Sequence, residues 1–366
     1  ISTWIDQRVI TTAFAAEEAG GDRMKSFCIG FEEASFDETR YARIIAERYH
    51  TEHYEEILSM ERAKGLLPEI IGKLDEPMGD SSLVPTYLLC KETRKRVTVA
   101  LSGDGGDELF AGYDPFRALG MATWYDRLVP RPVHQGIRMA VAALPSTHRN
   151  MSLDFRLKRT LRGLSYTRRL WNAVWLGPLD PRDLEALFRE PTDIEEVYSE
   201  AIEQWEACKQ ENLVDKTLQF YTKLYLQDDI LVKADRASMM NSLEVRAPFL
   251  DIDFVDFVRK IPHAYKYRNG QTKYILKKVI SGFLPPEITQ RRKQGFMVPI
   301  QTWFKKDLYS YAYDILLDRR AKARGLFNIP QVEALLKQLK KGQYVYAEQV
   351  YSLINLEMWH RIFLDE

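Results

Sequence analysis

The chain has 366 residues, of which 45% are hydrophobic and 28% charged, a composition typical of a globular protein with a substantial core. Its 52 basic and 52 acidic side chains cancel, which excludes the broad positive charge that nucleic-acid-binding proteins use to hold phosphate backbones. No stretch reaches the roughly 18 apolar residues of a membrane span, and the three cysteines match neither a disulfide framework nor a zinc cluster. We therefore expect a cytoplasmic protein with no nucleic-acid or membrane partner.

The first hundred residues alternate between helical and strand patterns, as in a parallel sheet with crossover helices. The predicted strands are 24–31, 53–58 and 97–101, and the predicted helices include 9–19, 60–74 and 84–95. Ser35 and Glu38 have the S-x-x-E spacing of a capping box, so a further helix is predicted to begin there. The apolar strand 97–101 is of the kind found in sheet centres.

Beyond Phe110 the strand patterns nearly disappear. Amphipathic stretches predict helices at 201–212, 216–227, 254–260, 273–283 and 346–363. The segment 128–169 is rich in Arg and Pro and has little periodicity, so a linker, a mobile crossover and a helix pair all remain open. We predict an α/β nucleotide-binding domain over 1–127, with its first strand missing, and a mostly helical domain over 128–366.

A glycine-rich, acidic loop at 102–108 follows the strand 97–101. In an open parallel sheet, ligands bind beyond the carboxyl ends of the strands. Three glycines allow backbone N–H groups to approach an anion closely, and the carboxylates of Asp104, Asp107 and Glu108 suit a divalent cation, most naturally Mg²⁺, that bridges to phosphate. The alternative is an acidic surface turn. A predicted buried strand before the loop and a predicted helix start at 109–113 favour a binding site.

Four segments carry long motifs in a defined order. They are 74–86 (LDEPMGDSSLVPT), 101–113 (LSGDGGDELFAGY), 228–251 (DDILVKADRASMMNSLEVRAPFLD) and 291–299 (RRKQGFMVP). Together they closely resemble the synthetase domain of the asparagine synthetase family. The resemblance implies an α/β fold whose parallel sheet is of the adenine-nucleotide alpha-hydrolase-like type. It also implies an ATP-dependent ligase that activates a carboxylate, aspartate above all, as an acyl-adenylate, releases pyrophosphate and forms an amide with ammonia.

By position, the resemblance assigns roles to residues of the loop. It implies that Ser102 and Gly103 contact ATP and that Ile29, near the end of the strand 24–31, lines the adenosine pocket. Asp107 resembles a Mg²⁺ ligand. Asp104 occupies the position of an acidic residue that assists proton transfer from the incoming ammonia.

Lys273, in the segment 271–276 (QTKYIL), is similar to the family's lysine that neutralises the phosphates as the adenylate forms. The physical reason is independent of the resemblance. Negative charge on the phosphates grows as pyrophosphate departs, so a fixed ammonium group stabilises the transition state more than the ground state. Without the resemblance, a solvated helix lysine is the simpler interpretation.

The start of the chain departs from the family's phosphate loop, S-G-G-x-D-S, because residues 2–7 read STWIDQ. Ser2 matches the first serine of that motif and Asp6 matches its aspartate. The resemblance therefore implies that Ser2 contacts ATP and that Asp6 is a second Mg²⁺ ligand. Trp4 replaces a glycine where the backbone would hold pyrophosphate. Either the loop is degenerate, or the start of the sequence belongs to a fragment whose true loop is missing, and we favour the second hypothesis because the first strand is also absent.

The resemblance further implies a glutaminase domain in the parent protein, which would supply ammonia to this chain. Nothing in the sequence resembles that domain, and a homodimer is an assembly that the sequence allows. Two other functions stay open. The first is amidation of another carboxylate in a surface-polymer or peptide-modification pathway. The second is a non-catalytic nucleotide-binding or partner-docking module, which the altered Thr3 and Trp4 suggest.

Two side-chain pairs allow more than one interpretation. His50 and His53 have an H-x-x-H spacing, but no third ligand accompanies them, so a structural role is favoured over a metal site. Arg236 and Arg246 suit either phosphate binding or buried ion pairs with neighbouring carboxylates.

Overall fold

The computed structural model describes residues 11, 12, 15, 23–144, 152–290, 298–306, 308–342 and 346–365. Within these residues the chain is α/β, mostly helical, with four strands in two small parallel sheets. It divides into two compact units. The first unit comprises 1–59, 82–120 and 207–297, and the second comprises 60–81, 121–206 and 298–366. The domain boundary at 127/128 stays a prediction.

The first unit contains all four described strands. Strand β1 (Lys25–Phe31) pairs in parallel with β2 (Glu52–Leu58), and the register runs from Lys25 opposite Glu52 to Phe31 opposite Leu58. The helix Thr39–Arg48 connects them, as a parallel pair requires. The strands predicted at 24–31 and 53–58 are therefore confirmed.

The capping box predicted at Ser35 is wrong. Ser35 lies in a turn in which the Phe36 N–H donates to the Glu33 carbonyl at 2.8 Å. The Asp37 carboxylate instead accepts from the Thr39 backbone N–H at 3.2 Å and from the Thr39 hydroxyl at 2.9 Å. An aspartate close to the first helical residue satisfies a free backbone N–H as a serine would, and the helix begins at Thr39.

The strand predicted at 97–101 is shorter and more exposed than its composition suggests. Strand β3 (Val99–Leu101) pairs in parallel with β4 (Glu244–Arg246), and among the described residues it has no second partner. Val99 is 41% exposed and Leu101 46% exposed. Val99 and Leu101 are two positions apart and share one face of the strand, so one apolar face of β3 is exposed although its composition predicts burial.

The helices of the first unit pack around a hydrophobic core. The described ones are Thr39–Arg48, Leu83–Arg94, Gly106–Leu109, Leu213–Phe220, Val232–Met239, Ile252–Arg259, His263–Lys266, Tyr274–Ile280 and Pro286–Thr289, with a π-helix at Tyr221–Leu231 and a 3-10 turn at Pro248–Leu250. A buried cluster that includes Phe110, Phe249 and Leu276 joins the loop region to the later helices of the unit. The helix Asp114–Leu128 passes from the first unit into the second.

The described secondary structure of the second unit consists of helices, apart from an isolated β-bridge between Phe188 and Phe327. Its helices are Met60–Ile71, Arg131–Ala142, Leu153–Gly163, Trp171–Leu176, Pro181–Leu187, Ile194–Val197, Ser199–Ala207, Ile300–Trp303, Leu308–Leu316, Arg319–Arg324, Ile329–Lys340 and Ala347–Phe363, with a 3-10 turn at Arg168–Leu170. The segment 128–169 thus contains a helix pair, one of its three predicted alternatives. No helix in the described ranges has both the length and the hydropathy to cross a membrane. Most of the helix predicted at 9–19 lies outside the described residues.

Candidate functional site

The glycine-rich loop 102–108 is buried in the first unit. Ser102 and Asp107 are 0% exposed, and Asp104 and Glu108 are each 2% exposed. Burying three carboxylates is costly unless they are paired or bind a ligand. This burial contradicts the alternative of an acidic surface turn.

Strand pairing and one glycine position the loop. The Ser102 N–H donates to the Arg246 carbonyl at 2.7 Å, which extends the β3–β4 ladder into the loop, and the Thr11 hydroxyl donates to the Ser102 carbonyl at 3.3 Å. Gly105 has a φ of +94°, and a Cβ atom there would lie 2.3 Å from Cδ2 of Leu250. A glycine is therefore required at this turn on two counts.

The helix start predicted at 109–113 is wrong. The loop forms a single helical turn, Gly106–Leu109, and Ala111 then adopts a φ of +53°, which ends it. The Gly112 N–H turns back to the Asp107 carbonyl at 2.8 Å. The backbone of Asp107 is therefore fixed by the helical turn that contains it and by the hydrogen bond from Gly112.

Lys273 reaches this turn from a distant part of the chain. Its ammonium Nζ lies 3.1 Å from Asp107 Oδ1, and its side chain is only 3% exposed. Its backbone N–H donates to the Phe110 carbonyl at 3.1 Å, and its φ is +54°, an uncommon conformation for a non-glycine residue that is often found at functional sites. The interpretation of Lys273 as a solvated helix lysine is wrong.

Gly112 makes the ion pair possible. A Cβ atom at this position would lie 1.7 Å from Asp107 Oδ1 and 2.5 Å from Lys273 Cε. Any side chain at Gly112 would therefore occupy the space in which the carboxylate and the ammonium meet.

The loop 102–108 also carries buried polar atoms that have no hydrogen-bond partner among the residues that the structure describes, among them Ser102 Oγ and Asp104 Oδ1. An unsatisfied buried group of this kind costs about 1–3 kcal/mol, so such atoms in a native protein call for a physical explanation. A polar ligand that accepts from the hydroxyl and donates to the carboxylate would satisfy both atoms.

Three tyrosines next to the loop were missed from the sequence. The Tyr113 hydroxyl donates to Glu108 Oε1. The Tyr113 ring stacks on Tyr221, with centroids 4.5 Å apart, and meets Tyr225 edge to face at 5.5 Å. Burial, reinforced by the Glu108 carboxylate, raises the pKa of Tyr113 well above its ordinary value. The only signal in the sequence is that Tyr221 and Tyr225 are four residues apart and so share one helical face. Such a spacing predicts two residues packed in the hydrophobic core.

The other predicted site residues are placed as follows. Ile29 is buried in β1, opposite Glu56 of β2, while Ser2 and Asp6 lie outside the described residues. In the part of the chain that is described, no three His, Cys, Asp or Glu side chains form a group that could hold a metal ion. The structure thus brings together the loop 102–108 and Lys273, and it leaves the roles of Ser2 and Asp6 as predictions.

The two remaining side-chain pairs are structural in their described contacts. His53 lies 2.8 Å from Ser26 Oγ and 3.0 Å from Glu55 Oε1, and burial lowers its pKa. Arg236 and Arg246 form ion pairs with Asp235 and Glu244, at 2.8 and 2.7 Å, but all four side chains are exposed. The partners of the arginines match the ion-pair interpretation, whereas the predicted burial is wrong.

Comparisons with known proteins place the chain among asparagine synthetases and related proteins. The chain is 32% identical over 348 residues to a putative glutamine-hydrolysing asparagine synthetase of Mycobacterium tuberculosis, a match that covers 94% of this chain and 51% of that protein. It is 30% identical over 346 residues to the glutamine-hydrolysing asparagine synthetase 1 of Bacillus subtilis, with 94% and 53% covered. The amidase chyE of Penicillium rubens is 25% identical over 309 residues, with 76% and 44% covered.

The chain spans about half the length of these curated relatives. The family model for asparagine synthase matches residues 9–361, which is nearly the whole chain. The chain therefore belongs to the asparagine synthase family.

Proposed function

We propose that the chain is the synthetase part of an ATP-dependent, amide-forming ligase that converts aspartate to asparagine through β-aspartyl-AMP. The observation that carries the proposal is the buried Asp107–Lys273 pair, together with the buried Ser102 Oγ and Asp104 Oδ1 of the same loop as Asp107. These groups combine a fixed positive charge with a hydroxyl donor and a carboxylate acceptor. Such a set suits a phosphate-bearing substrate and an attacking amine.

In the adenylation step, the aspartate carboxylate attacks the α-phosphate of ATP, a P–O bond forms, and pyrophosphate leaves. Ser102 and Gly103 would contact the phosphates, with Ser2 and Ile29 completing the ATP site. The ammonium of Lys273 would neutralise the charge that develops on the phosphates. Since Lys273 is held in place before the reaction by Asp107 and Phe110, little reorganisation would be needed.

In the amidation step, ammonia attacks the acyl carbon of the adenylate, a C–N bond forms, and the C–O bond to AMP breaks. The nitrogen loses a proton. Asp104 Oδ1 is buried and has no partner among the described residues, so it is suited to accept that proton. We propose that the ammonia comes from a glutaminase domain of the parent protein.

Mg²⁺ fits the donor chemistry of this loop, because carboxylate oxygens are its preferred protein ligands. Asp107 and Asp6 would hold it, and the ion would neutralise part of the charge on the triphosphate. We further propose that the sheet is of the adenine-nucleotide alpha-hydrolase-like type. The cytoplasmic location and the homodimer stay predictions.

A second candidate is the amidation of a carboxylate other than aspartate. The observation that favours it is that a relative named an amidase, the Penicillium rubens protein, matches 76% of this chain. The nucleotide chemistry would be the same in both cases.

An ATP–pyrophosphate exchange assay tests the proposal. We expect exchange with aspartate and Mg²⁺, and no exchange when either is omitted. Exchange with another carboxylate in place of aspartate would select the second candidate. ATP binding by calorimetry without exchange for any carboxylate in a panel of amino acids and dicarboxylates would contradict an enzymatic function and favour a nucleotide-binding module.

A further inference from the structure

The turn that carries Asp107 is fastened by a second buried contact that the proposed chemistry does not use. The Tyr113 hydroxyl donates to the carboxylate of Glu108, the residue next to Asp107. Tyr113 is 6% exposed and Glu108 is 2% exposed. A hydrogen bond to a charged acceptor inside the protein is among the stronger ones, so this contact is well placed to fix the turn.

Tyr113 is itself fixed by aromatic contacts. Its ring is stacked on Tyr221 with an interplanar angle of 23°, and Tyr225 meets it edge to face. Both partners belong to the π-helix Tyr221–Leu231. π-Helical turns are rare in proteins, and those that occur are often found at functional sites. Since burial raises the pKa of Tyr113 well above its ordinary value, the phenol stays protonated and keeps its role as donor.

Three hydrogen bonds involve the turn and the residues that follow it. The Gly112 N–H binds the Asp107 carbonyl, the Lys273 N–H binds the Phe110 carbonyl, and the Tyr113 hydroxyl binds Glu108. The first two are backbone contacts, which substitution does not easily remove. The third depends on the hydroxyl oxygen of Tyr113, which a substitution to Phe removes.

We propose that Tyr113 is a positioning residue: through its hydrogen bond to Glu108 it fixes the helical turn Gly106–Leu109 and thereby the pairing of Asp107 with Lys273. Its effect on catalysis rests on the proposed function. The positioning itself is a property of the fold and can be measured without turnover.

The experiment compares Tyr113→Phe with the wild-type chain. Phenylalanine retains the stacked ring and removes only the donor. Brief acetylation with acetic anhydride, followed by mass spectrometry, measures the reactivity of each lysine. We expect the reactivity of Lys273 to rise about tenfold in Tyr113→Phe, because a buried amine that loses a fixed partner becomes accessible through local opening.

Lys266 serves as the internal control, because it is also buried in the first unit, at 7% exposure, and lies outside the site. Tyr49→Phe is the matched variant, since the Tyr49 hydroxyl also donates a hydrogen bond, to the Phe283 carbonyl at 2.8 Å. We expect Tyr49→Phe to leave Lys273 unchanged. An equal rise of Lys266 and Lys273 in Tyr113→Phe would indicate general loosening and overturn the proposal, as would no rise at all.

The catalytic consequence is measured by ATP–pyrophosphate exchange. We expect Tyr113→Phe to lower kcat about tenfold and to change KM for ATP less than about twofold, since a displaced group acts on the transition state more than on binding. An unchanged kcat beside a raised Lys273 reactivity would refute the catalytic part. If the wild-type chain shows no exchange with any carboxylate, the proposed function fails, whereas the acetylation result still decides the positioning role.

Discussion

At the scale of single residues, the site depends on a carboxylate and an ammonium that are buried together. Asp107 and Lys273 are 0% and 3% exposed and 3.1 Å apart. Removing one partner of such a pair leaves an uncompensated buried charge, which typically costs 3–5 kcal/mol. Substitutions that keep the shape of the side chain are therefore the informative ones.

Asp107→Asn keeps the shape and removes the charge. We expect it to abolish Mg²⁺-dependent ATP–pyrophosphate exchange while the circular dichroism spectrum stays that of the wild type, because an amide oxygen still accepts from Lys273 but is a poor Mg²⁺ ligand. Asp256→Asn, at an exposed ion pair with Arg259, is the control and should retain full exchange. Full activity in Asp107→Asn would show that the metal ligand is elsewhere.

Gly112→Ala tests the space between the two charges. The added Cβ would lie 1.7 Å from Asp107 Oδ1, so the pair must separate, and overpacking of this kind typically costs about 1–3 kcal/mol. We expect a lower urea midpoint and a loss of exchange. Gly120→Ala is the matched control: no described atom outside its own helix backbone lies within 4 Å of that Cβ.

In an exposed helical position, Gly→Ala stabilises by about 0.5–1 kcal/mol. Gly120 lies in such a position, in the helix Asp114–Leu128, so Gly120→Ala should raise the urea midpoint and leave exchange unchanged. Equal effects of the two substitutions would contradict the steric account of Gly112.

At the scale of elements, the sequence is most informative where the signal is local. The pattern of apolar residues locates β1 and β2 to within a residue or so, and the motif 101–113 locates the loop. The turn within that motif could not be predicted. It depends on a positive φ at Ala111, which is a rare conformation for an alanine and leaves no mark in the sequence.

A partly buried carboxylate in the second unit makes the stability of the chain depend on pH. Burial, with the Asp80 carboxylate nearby, raises the pKa of Glu348, at the start of the helix Ala347–Phe363, to about 7. The folded chain therefore binds this proton more tightly than the unfolded chain. Its contribution to stability is complete below the unfolded pKa of 4.5 and is lost as the pH rises towards 7.

Glu348→Gln should remove this dependence. Glu348 retains some contact with solvent, so we expect a gain of about 1–2 kcal/mol at pH 8 over wild type, less than the shift alone implies, and little gain at pH 5. The measurement is the free energy of urea unfolding at both pH values. Glu203→Gln, at an exposed helical position, should leave the dependence unchanged. A gain of the same size at both pH values would refute the explanation.

At the scale of the whole molecule, the sequence predicts the α/β class and a mostly helical remainder, since the order of periodic segments specifies the class. It does not reveal that each compact unit is assembled from three separate segments. The same limit applies to the site. Tyr221 and Tyr225 reach Tyr113 from more than a hundred residues away, and the sequence offers no pattern that predicts the contact.

The source of nitrogen is the prediction that concerns the chain as a whole. The chain spans about half the length of its curated relatives, and the roles proposed for its site residues are adenylation and proton transfer. We expect the 366-residue chain to form asparagine from aspartate, ATP and ¹⁵N-ammonium, with no ¹⁵N incorporated from amide-labelled glutamine. At fixed total ammonium the rate should rise with pH, because only the free base has a lone pair with which to attack the adenylate.

Mass spectrometry of the product distinguishes the two sources. Equal incorporation from glutamine would contradict the division of labour proposed between this chain and a glutaminase domain, whereas asparagine formation from neither source, with pyrophosphate exchange intact, would place the failure in the amidation step and point to Asp104 as the residue to test next.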